Sequence, residues 1–239
     1  FSTNIKTIFH NGACSSTTNY DVPYMMKNNF DYSVSLFKEC LRKGIDFIYA
    51  SSASVYGDGP FQEEGNHNPK NVYAFTKSMF DRYVEKYIEY GVDIQVVGLR
   101  YFNVYGPEEH GKGDMASVVY KFFNQKDGGK INLFKGSESF ERDFIYVDDV
   151  VDINLEINKS GKSGIYNVGT GQLNSFLDIA KIFKARYDIE INEIEMPEKL
   201  KGKYQEYTLS DNTKIKKIIN KNYLSLDVAV NKYLDILES

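Results

Sequence analysis

The segment Asp46–Gly57 (DFIYASSASVYG) joins a short apolar run to a stretch of small and polar residues. Two other segments repeat this arrangement: Lys6–Thr18 (KTIFHNGACSSTT) and Ile94–Pro107 (IQVVGLRYFNVYGP). Short apolar runs that end in such residues are typical of buried strands. We therefore predict three strands, each followed directly by a polar motif.

The two stretches between these strands carry apolar residues at helical spacing. Residues 23–43 do so up to Gly44, and residues 73–90 do so up to Gly91. Strand, helix, strand, helix, strand in this order predicts a parallel, doubly wound sheet of the α/β class. Ligands of such sheets bind at the carboxyl ends of the strands, so the three polar motifs are expected to converge there.

The pattern loosens after Pro107. Helices are predicted over residues 115–124, 148–158 and 176–187 and after Ser225, and strands over 131–134, 143–147 and 165–169. We expect a larger domain formed by residues 1–106 and 144–171. A smaller α+β domain would contain residues 107–143 and 172–239.

Composition excludes several classes of protein. The 239 residues include 29 Lys and Arg against 33 Asp and Glu, a formal net charge of −4. This balance lacks the basic footprint of nucleic-acid-binding proteins, and no apolar run approaches the ~18 residues of a membrane span. Cys14 and Cys40 predict no disulfide framework and a cytoplasmic location. The three histidines lack metal-ligand spacing, so no metal is expected.

Tyr73 and Lys77 are four residues apart at the start of the second predicted helix. An ammonium beside a phenol would lower the phenol pKa from ~10 towards neutrality and make Tyr73 a general acid–base group. A chance surface pair is the alternative, since the chain has 19 Tyr. Ser52, after the second strand, could donate its hydroxyl beside the phenol or simply cap the next turn.

Two further motifs follow the third strand. Asn103 offers a donor and an acceptor at the edge of the sheet. Residues 106–113 (GPEEHGKG) match a Walker A loop up to the last position, where Gly113 replaces the hydroxyl residue that holds Mg²⁺. Glu108 and Glu109 would also occupy the phosphate cradle, so a phosphate-binding loop is disfavoured.

The motifs SSASVYG, NVYAFTK and RYFNVYGP, in this order and spacing, resemble the extended short-chain dehydrogenase/reductase family of nucleotide-sugar enzymes. HNGACSSTT, YMMKNN, HGKGDMASV, LFKGSESFERDF and KLKGKYQ are similar to the branch that epimerises an ADP-heptose, and the motifs span residues 10 to 205. The resemblance implies a Rossmann-type domain that binds NADP, with NAD less expected, and a smaller substrate-binding domain. It also implies epimerisation at C6″ of a nucleotide-sugar, ADP-D-glycero-D-manno-heptose, through a transient ketone.

The resemblance assigns a role to each matching residue. The catalytic residues would be Tyr73, Lys77 and Ser52, with Lys112 as a second base. The cofactor would contact Asn11, Gly12, Ala13, Cys14, Ser15, Asn28, Lys77, Val104 and Lys112. The substrate would contact Asn103, Asp114, Lys121, Phe134, Lys135, Gly136, Ser137, Arg142 and Tyr204.

The chain departs from the family at two substrate positions, where Ser is common at 114 and His at 121. An Asp there repels an anionic diphosphate unless Asp114 pairs with Lys112 or Lys121. Other members remain alternatives, such as a UDP-hexose 4-epimerase or a 4,6-dehydratase. Ala53 and Ser54 argue against a dehydratase, which would carry an acidic pair. A redox-sensing or scaffold protein would be expected to have lost Tyr73 or Lys77.

A dinucleotide-binding fold opens with a strand and GxGxxG, followed about 20 residues later by a residue that selects NAD or NADP. No such motif precedes His10, and KTIFH corresponds to the family's fourth strand. We therefore expect a fragment or truncated chain without the first two βα units, and NADP over NAD rests on resemblance alone. The resemblance also implies a homo-oligomer, a pentamer, with Tyr20, Tyr24 and Tyr120 as candidate interface aromatics.

Overall fold

The structure is a computed structural model that describes residues 4–198 and 207–239. The strands are β1 (Thr7–His10), β2 (Asp46–Ser52), β3 (Val96–Tyr101), β4 (Asn103–Tyr105), β5 (Lys130–Phe134), β6 (Glu141–Arg142), β7 (Phe144–Tyr146), β8 (Gly164–Val168), β9 (Asn174–Ser175), β10 (Glu190–Ile194) and β11 (Tyr207–Thr208). The helices are α1 (Val22–Met25), α2 (Tyr32–Lys43), α3 (Val72–Tyr90), α4 (Val118–Gln125), α5 (Val147–Ser160), α6 (Phe176–Tyr187) and α7 (Leu226–Glu238).

The described residues divide into two compact units. The first lies within 1–102, 152–168 and 211–221, and the second within 103–151, 169–210 and 222–239. These bounds differ from the expected domains at residues 103–106, 144–151, 169–171 and 211–221. Residues 144–151 belong to the second unit because β7 pairs in parallel with β4, Phe144 opposite Asn103. Residues 211–221 belong to the first unit, where Ile215 and Ile219 are buried.

The first unit contains a four-stranded parallel sheet in the order β1-β2-β3-β8. Its three predicted strands are confirmed, and the α/β class with a parallel Rossmann-type sheet is confirmed with them. Phe37 of α2 and Phe80 of α3 pack together against Phe47 and Tyr49 of β2. Burial of these rings on one face of the sheet holds α2 and α3 in place. The segments that follow the strands therefore meet at one edge of the sheet.

The helix predicted over residues 23–43 is not regular. A π-helical turn, Met26–Asp31, separates α1 from α2, so the prediction of one uninterrupted helix was wrong in this detail. Such turns insert one residue into a helix and are frequent at functional sites. The predicted end is confirmed, because Gly44 has a φ of 65° and its N–H donates to the last carbonyls of α2.

The second unit packs α4, α6 and α7 around short sheets. β5 pairs in parallel with β10, and β6 pairs with both β9 and β11. Phe122, Phe183 and Tyr233 are buried together between the three helices. Several of these strands have two residues, too few for an apolar pattern to reveal in the sequence.

The three tyrosines expected at an interface differ in their exposure. Tyr20 and Tyr24 are exposed, at 71% and 48% of their surface, whereas Tyr120 packs against the core of the second unit and is half-buried. Both Cys14 and Cys40 are free thiols. Across residues 4–198 and 207–239, no helix combines the length and the hydropathy needed to cross a membrane.

Candidate active site

Ser52, Tyr73 and Lys77 come together at the carboxyl end of β2. Ser52 is the last residue of that strand, and its hydroxyl lies on the side of the Tyr73 phenol, where it favours the ionised form. Tyr73 and Lys77 lie in the first two turns of α3, and Asn71 caps this helix by accepting the N–H of Ala74 (2.8 Å). The cap fixes where the helix begins and hence where the phenol points.

The ammonium of Lys77 is buried and bonded to the main chain of β2. Its Nζ donates to the carbonyl of Ala50 (2.7 Å) and lies 6.0 Å from the centroid of the Tyr73 ring. Burial lowers the pKa of Lys77 to about 8, and the Asp81 carboxylate opposes this shift. Lys77 is therefore fixed beside Tyr73.

The phenol of Tyr73 differs from the sequence-based prediction. Burial raises the pKa of Tyr73, and the hydrogen bond from Ser52 offsets only part of that rise. The ammonium of Lys77 is directed at Ala50 and does not dominate the phenol. The expected lowering of the pKa by Lys77 was therefore wrong for this arrangement, in which Ser52 is the group that favours the phenolate.

Asp81, one helical turn beyond Lys77, is fully buried. Its carboxylate accepts hydrogen bonds from the hydroxyls of Tyr49 and Ser51, each at 2.9 Å. It also accepts from Nε of Arg100 at 2.8 Å, and both partners of this ion pair are inaccessible to solvent. The pair fastens α3 to β2 and β3 beside the Tyr73–Lys77 turns.

The remaining donors of Arg100 reach the loop that follows β2. One nitrogen donates to the hydroxyl of Tyr56 (2.8 Å) and another to Nε2 of His67 (2.7 Å). Because guanidinium can only donate, Nε2 of His67 must accept, so its Nδ1 carries the proton and donates to Ser78 (2.7 Å). Burial lowers the pKa of His67 to about 4, and the ring is neutral at pH 7.

A cavity of about 740 Å³ opens at the carboxyl end of β1. Its lining includes five residues expected to contact the cofactor: Asn11, Gly12, Ala13, Cys14 and Asn28. Ser15 follows in the same loop but is not part of the lining. A Cβ placed on Gly12 would meet nothing within 4 Å, so the loop leaves open space there. The lining combines apolar side chains, among them Ile8, Phe9 and Leu36, with the amides of Asn11 and Asn28, so a cofactor held here would meet both apolar surface and hydrogen-bonding groups.

Asn29 is a residue of this region that the sequence analysis missed. It is 1% exposed, and its amide bonds both main-chain groups of Cys14, the N–H at 2.8 Å and the carbonyl at 3.0 Å. The same amide donates to the hydroxyl of Thr76 (3.2 Å), which donates to the carbonyl of Tyr73 (2.7 Å). The π-helical turn places neighbouring Asn28 at the cavity. Two consecutive asparagines were the only signal for this link.

In the second unit, Asn103 and Val104 lie in β4, where Val104 pairs with Ile145 of β7. The amide nitrogen of Asn103 donates to the carbonyl of Asp143 (3.1 Å) and to the hydroxyl of Thr208 (2.9 Å). This nitrogen is thus committed to contacts within the fold.

Lys112 lies in the turn after β4, with its Nζ 3.3 Å from a carboxylate oxygen of Glu109. Lys121 donates to the main-chain carbonyl of Asp114 (2.7 Å). Among the described residues, the carboxylate of Asp114 forms no ion pair with either lysine. Within the described residues, neither lysine therefore offsets the repulsion between the Asp114 carboxylate and a diphosphate.

The other substrate candidates of this unit follow β5 and form β6. Lys135 pairs with Glu195 (2.5 Å). Gly136 has a φ of 79° and turns the chain after Phe134, the last residue of β5, while Ser137 is buried. Arg142 is also buried, with its guanidinium 5.6 Å from the ring of Phe176. The remaining candidate, Tyr204, lies outside the described residues.

The described ranges contain no group of three or more side chains that could hold a metal ion. A parallel sheet with a hydroxyl, a phenol and an ammonium at its carboxyl edge is the arrangement that the resemblance to nucleotide-sugar enzymes implies. The chain belongs to the NAD dependent epimerase/dehydratase family, whose model matches residues 1–169.

Proteins similar to this chain include epimerases of nucleotide-sugars. The chain is 50% identical over 242 residues to an ADP-L-glycero-D-manno-heptose-6-epimerase of Brachyspira hyodysenteriae, covering 98% of this chain and 76% of that protein. The crystal structure of the Helicobacter pylori protein of the same name has a TM-score of 0.87 at 33% identity, with 98% and 73% coverage. A UDP-N-acetylglucosamine 4-epimerase from Methanobrevibacter ruminantium also has a TM-score of 0.87, at 25% identity with 98% and 76% coverage.

Proposed function

We propose that this protein converts ADP-D-glycero-D-manno-heptose into ADP-L-glycero-D-manno-heptose by NADP-dependent epimerisation at C6″. The observation that carries the proposal is the Ser52–Tyr73–Lys77 arrangement at the carboxyl end of β2. The 50% identity to the Brachyspira relative supports the choice of sugar. NADP rather than NAD, a cytoplasmic location and a homo-oligomer stay predictions.

An unactivated secondary alcohol carbon can be inverted if a hydride is removed and then returned to the opposite face. A bound nicotinamide supplies the hydride acceptor and donor. Tyr73, once ionised, would take the hydroxyl proton as the hydride leaves C6″, and Ser52 would stabilise that phenolate by donating a hydrogen bond to it. The buried ammonium of Lys77, 6.0 Å from the centroid of the Tyr73 ring, adds positive charge beside the phenolate.

A fixed nicotinamide can reach both faces only if the keto-sugar side chain rotates between the two half-reactions. The oxygen at C6″ then occupies a different place each time, so one base is poorly placed for both steps. Lys112 is the candidate acid–base group for the second position because the family resemblance assigns it that role and its side chain is 51% exposed, so that its ammonium can give a proton to the keto oxygen. Gly111 and Gly113 flank it and leave the turn open, since an added Cβ at either would meet nothing within 4 Å.

Lys112→Ala is expected to lower epimerisation about 10²-fold, near the lower end for a missing acid–base group. Turnover should fall whichever epimer is supplied as the substrate, because each full turnover uses both half-reactions. Steady-state turnover with both ADP-heptose epimers measures it, with Lys86→Ala as a matched control. Lys86 is 64% exposed and pairs with the carboxylate of Glu89, three residues away in the same chain (2.7 Å), the same sequence separation as between Lys112 and Glu109. Turnover of Lys112→Ala at the parent rate would show that Tyr73 works alone.

Product analysis tests the whole proposal. The full-length protein is incubated with NADP or NAD and either ADP-D-glycero-D-manno-heptose or UDP-galactose, and the sugars are separated by anion-exchange chromatography and identified by NMR. The expected result is the ADP-L-glycero-D-manno epimer, formed faster with NADP. Formation of UDP-glucose instead would favour the hexose 4-epimerase class, which the Methanobrevibacter neighbour represents.

A further inference from the structure

Glu109 is a buried carboxylate in the turn that follows β4, with 2% of its surface exposed. Its oxygens accept the N–H and the hydroxyl of Ser117 at 2.9 and 2.6 Å and the hydroxyl of Tyr233 at 3.2 Å. Ser117 is the N-cap of α4 and Tyr233 belongs to α7. One carboxylate therefore ties the turn to two helices of the second unit.

The same carboxylate bonds Lys112. The Nζ of Lys112 lies 3.3 Å from Oε1 of Glu109, and the side chains are 51% and 1% exposed respectively. The Lys112 N–H also donates to the Glu109 carbonyl (3.0 Å), which closes the turn. The residue before them, Glu108, has a φ of 65°, a conformation that disfavours any residue except glycine. The turn adopts this conformation while Glu109 faces inward and Lys112 reaches solvent.

We propose that Glu109 is the positioning residue of Lys112, orienting its ammonium for proton transfer. Lys112 would give its proton to the ketone oxygen in the half-reaction in which the hydride returns from a bound nicotinamide to C6″ and the C=O bond becomes a C–OH, and it would take the proton back in the opposite direction. The buried carboxylate of Glu109 holds the ammonium by a charge-assisted hydrogen bond. Bases in active sites are commonly oriented by such a third group. The inference rests on the proposed function, because it requires Lys112 to act as the second base.

Glu109→Gln separates the charge of this residue from its anchoring contacts. The glutamine oxygen can still accept the N–H of Ser117, and its amide can donate to the hydroxyl of Ser117 or Tyr233, since hydroxyls both donate and accept. We expect the thermal midpoint to stay close to that of the parent and turnover to fall about 10- to 100-fold, as for a misplaced catalytic group. The KM for the nucleotide-sugar should change little.

A double-mutant cycle with Lys112→Ala gives the decisive readout. If Glu109 acts through Lys112, the double variant Lys112→Ala/Glu109→Gln should turn over no more slowly than Lys112→Ala alone. A residue that only stabilises the fold would instead multiply the two losses, which would overturn the inference. Tyr233→Phe removes a Glu109 contact without touching Lys112 and should retain the parent rate.

The outcomes also separate this inference from the proposed function. Loss of activity in Lys112→Ala together with parent activity in Glu109→Gln refutes only the positioning role. Parent activity in Lys112→Ala refutes the second base and the positioning role with it. If Glu109→Gln does not fold, Glu109→Asp replaces it in the double-mutant cycle, because it keeps the charge but shortens the reach to Lys112. Its loss of turnover must then be non-additive with that of Lys112→Ala.

Discussion

Tyr73→Phe is expected to lower turnover about 10²–10⁴-fold, the scale for removing a general acid–base group. The substitution deletes only the phenolic oxygen, whose ionised form Ser52 favours, and leaves the ring in place. Cofactor affinity should therefore persist while the chemical step fails. Steady-state assays with each ADP-heptose epimer measure turnover, and the fluorescence of bound NADPH measures cofactor affinity.

Tyr83→Phe is the matched control. Tyr83 lies in the same helix, and its hydroxyl bonds that of Tyr87 (3.0 Å). The same atom is thus deleted more than two helical turns away from Tyr73. Its turnover should equal that of the parent. A Tyr73→Phe protein with more than about a tenth of parent turnover would refute the assignment, since an essential acid–base group contributes at least ~10².

The parallel sheet could be predicted because its strands are buried runs with clear ends. DFIYASS and IQVVGL have the composition of central strands, and each ends in a polar motif. The two-residue strands β6, β9 and β11 escaped prediction because they are held by pairing, such as Glu141 opposite Ser175. The π-helical turn escaped too, because an inserted residue changes the hydrogen bonds without removing the apolar pattern.

The sequence pointed to Ser52, Tyr73 and Lys77 through their spacing, but not to the groups that hold them. Asp81 continues the Tyr73–Lys77 series by four residues, a pattern that was visible but carried no chemistry by itself. Asn29 and Glu109 look like ordinary polar residues in the sequence. Their importance follows from burial, at 1% and 2% exposure, and burial of a polar group depends on contacts between segments distant in the chain.

The buried pair of Asp81 and Arg100 gives the largest expected effect on stability. Asp81→Asn keeps the shape of the side chain but leaves the Arg100 guanidinium, which is fully inaccessible, without its carboxylate. Breaking such a pair from one side costs about 3–5 kcal/mol, a large part of the 5–15 kcal/mol typical of a whole protein. Urea unfolding at pH 7, followed by circular dichroism, measures the loss.

Two comparisons show whether the loss comes from the uncompensated charge. The double variant Asp81→Asn/Arg100→Met removes both charges and should be more stable than Asp81→Asn alone, because the desolvation of a lone guanidinium no longer counts against folding. Glu39→Gln, which breaks the exposed pair with Arg42, should change stability little. If Asp81→Asn unfolds at the parent's urea concentration, Arg100 has found another counter-charge, for which Glu85, 3.6 Å from its guanidinium, is the group in place. In that case the double variant Asp81→Asn/Glu85→Gln should show the predicted loss, and the link between α3 and β3 would rest on two carboxylates rather than on one.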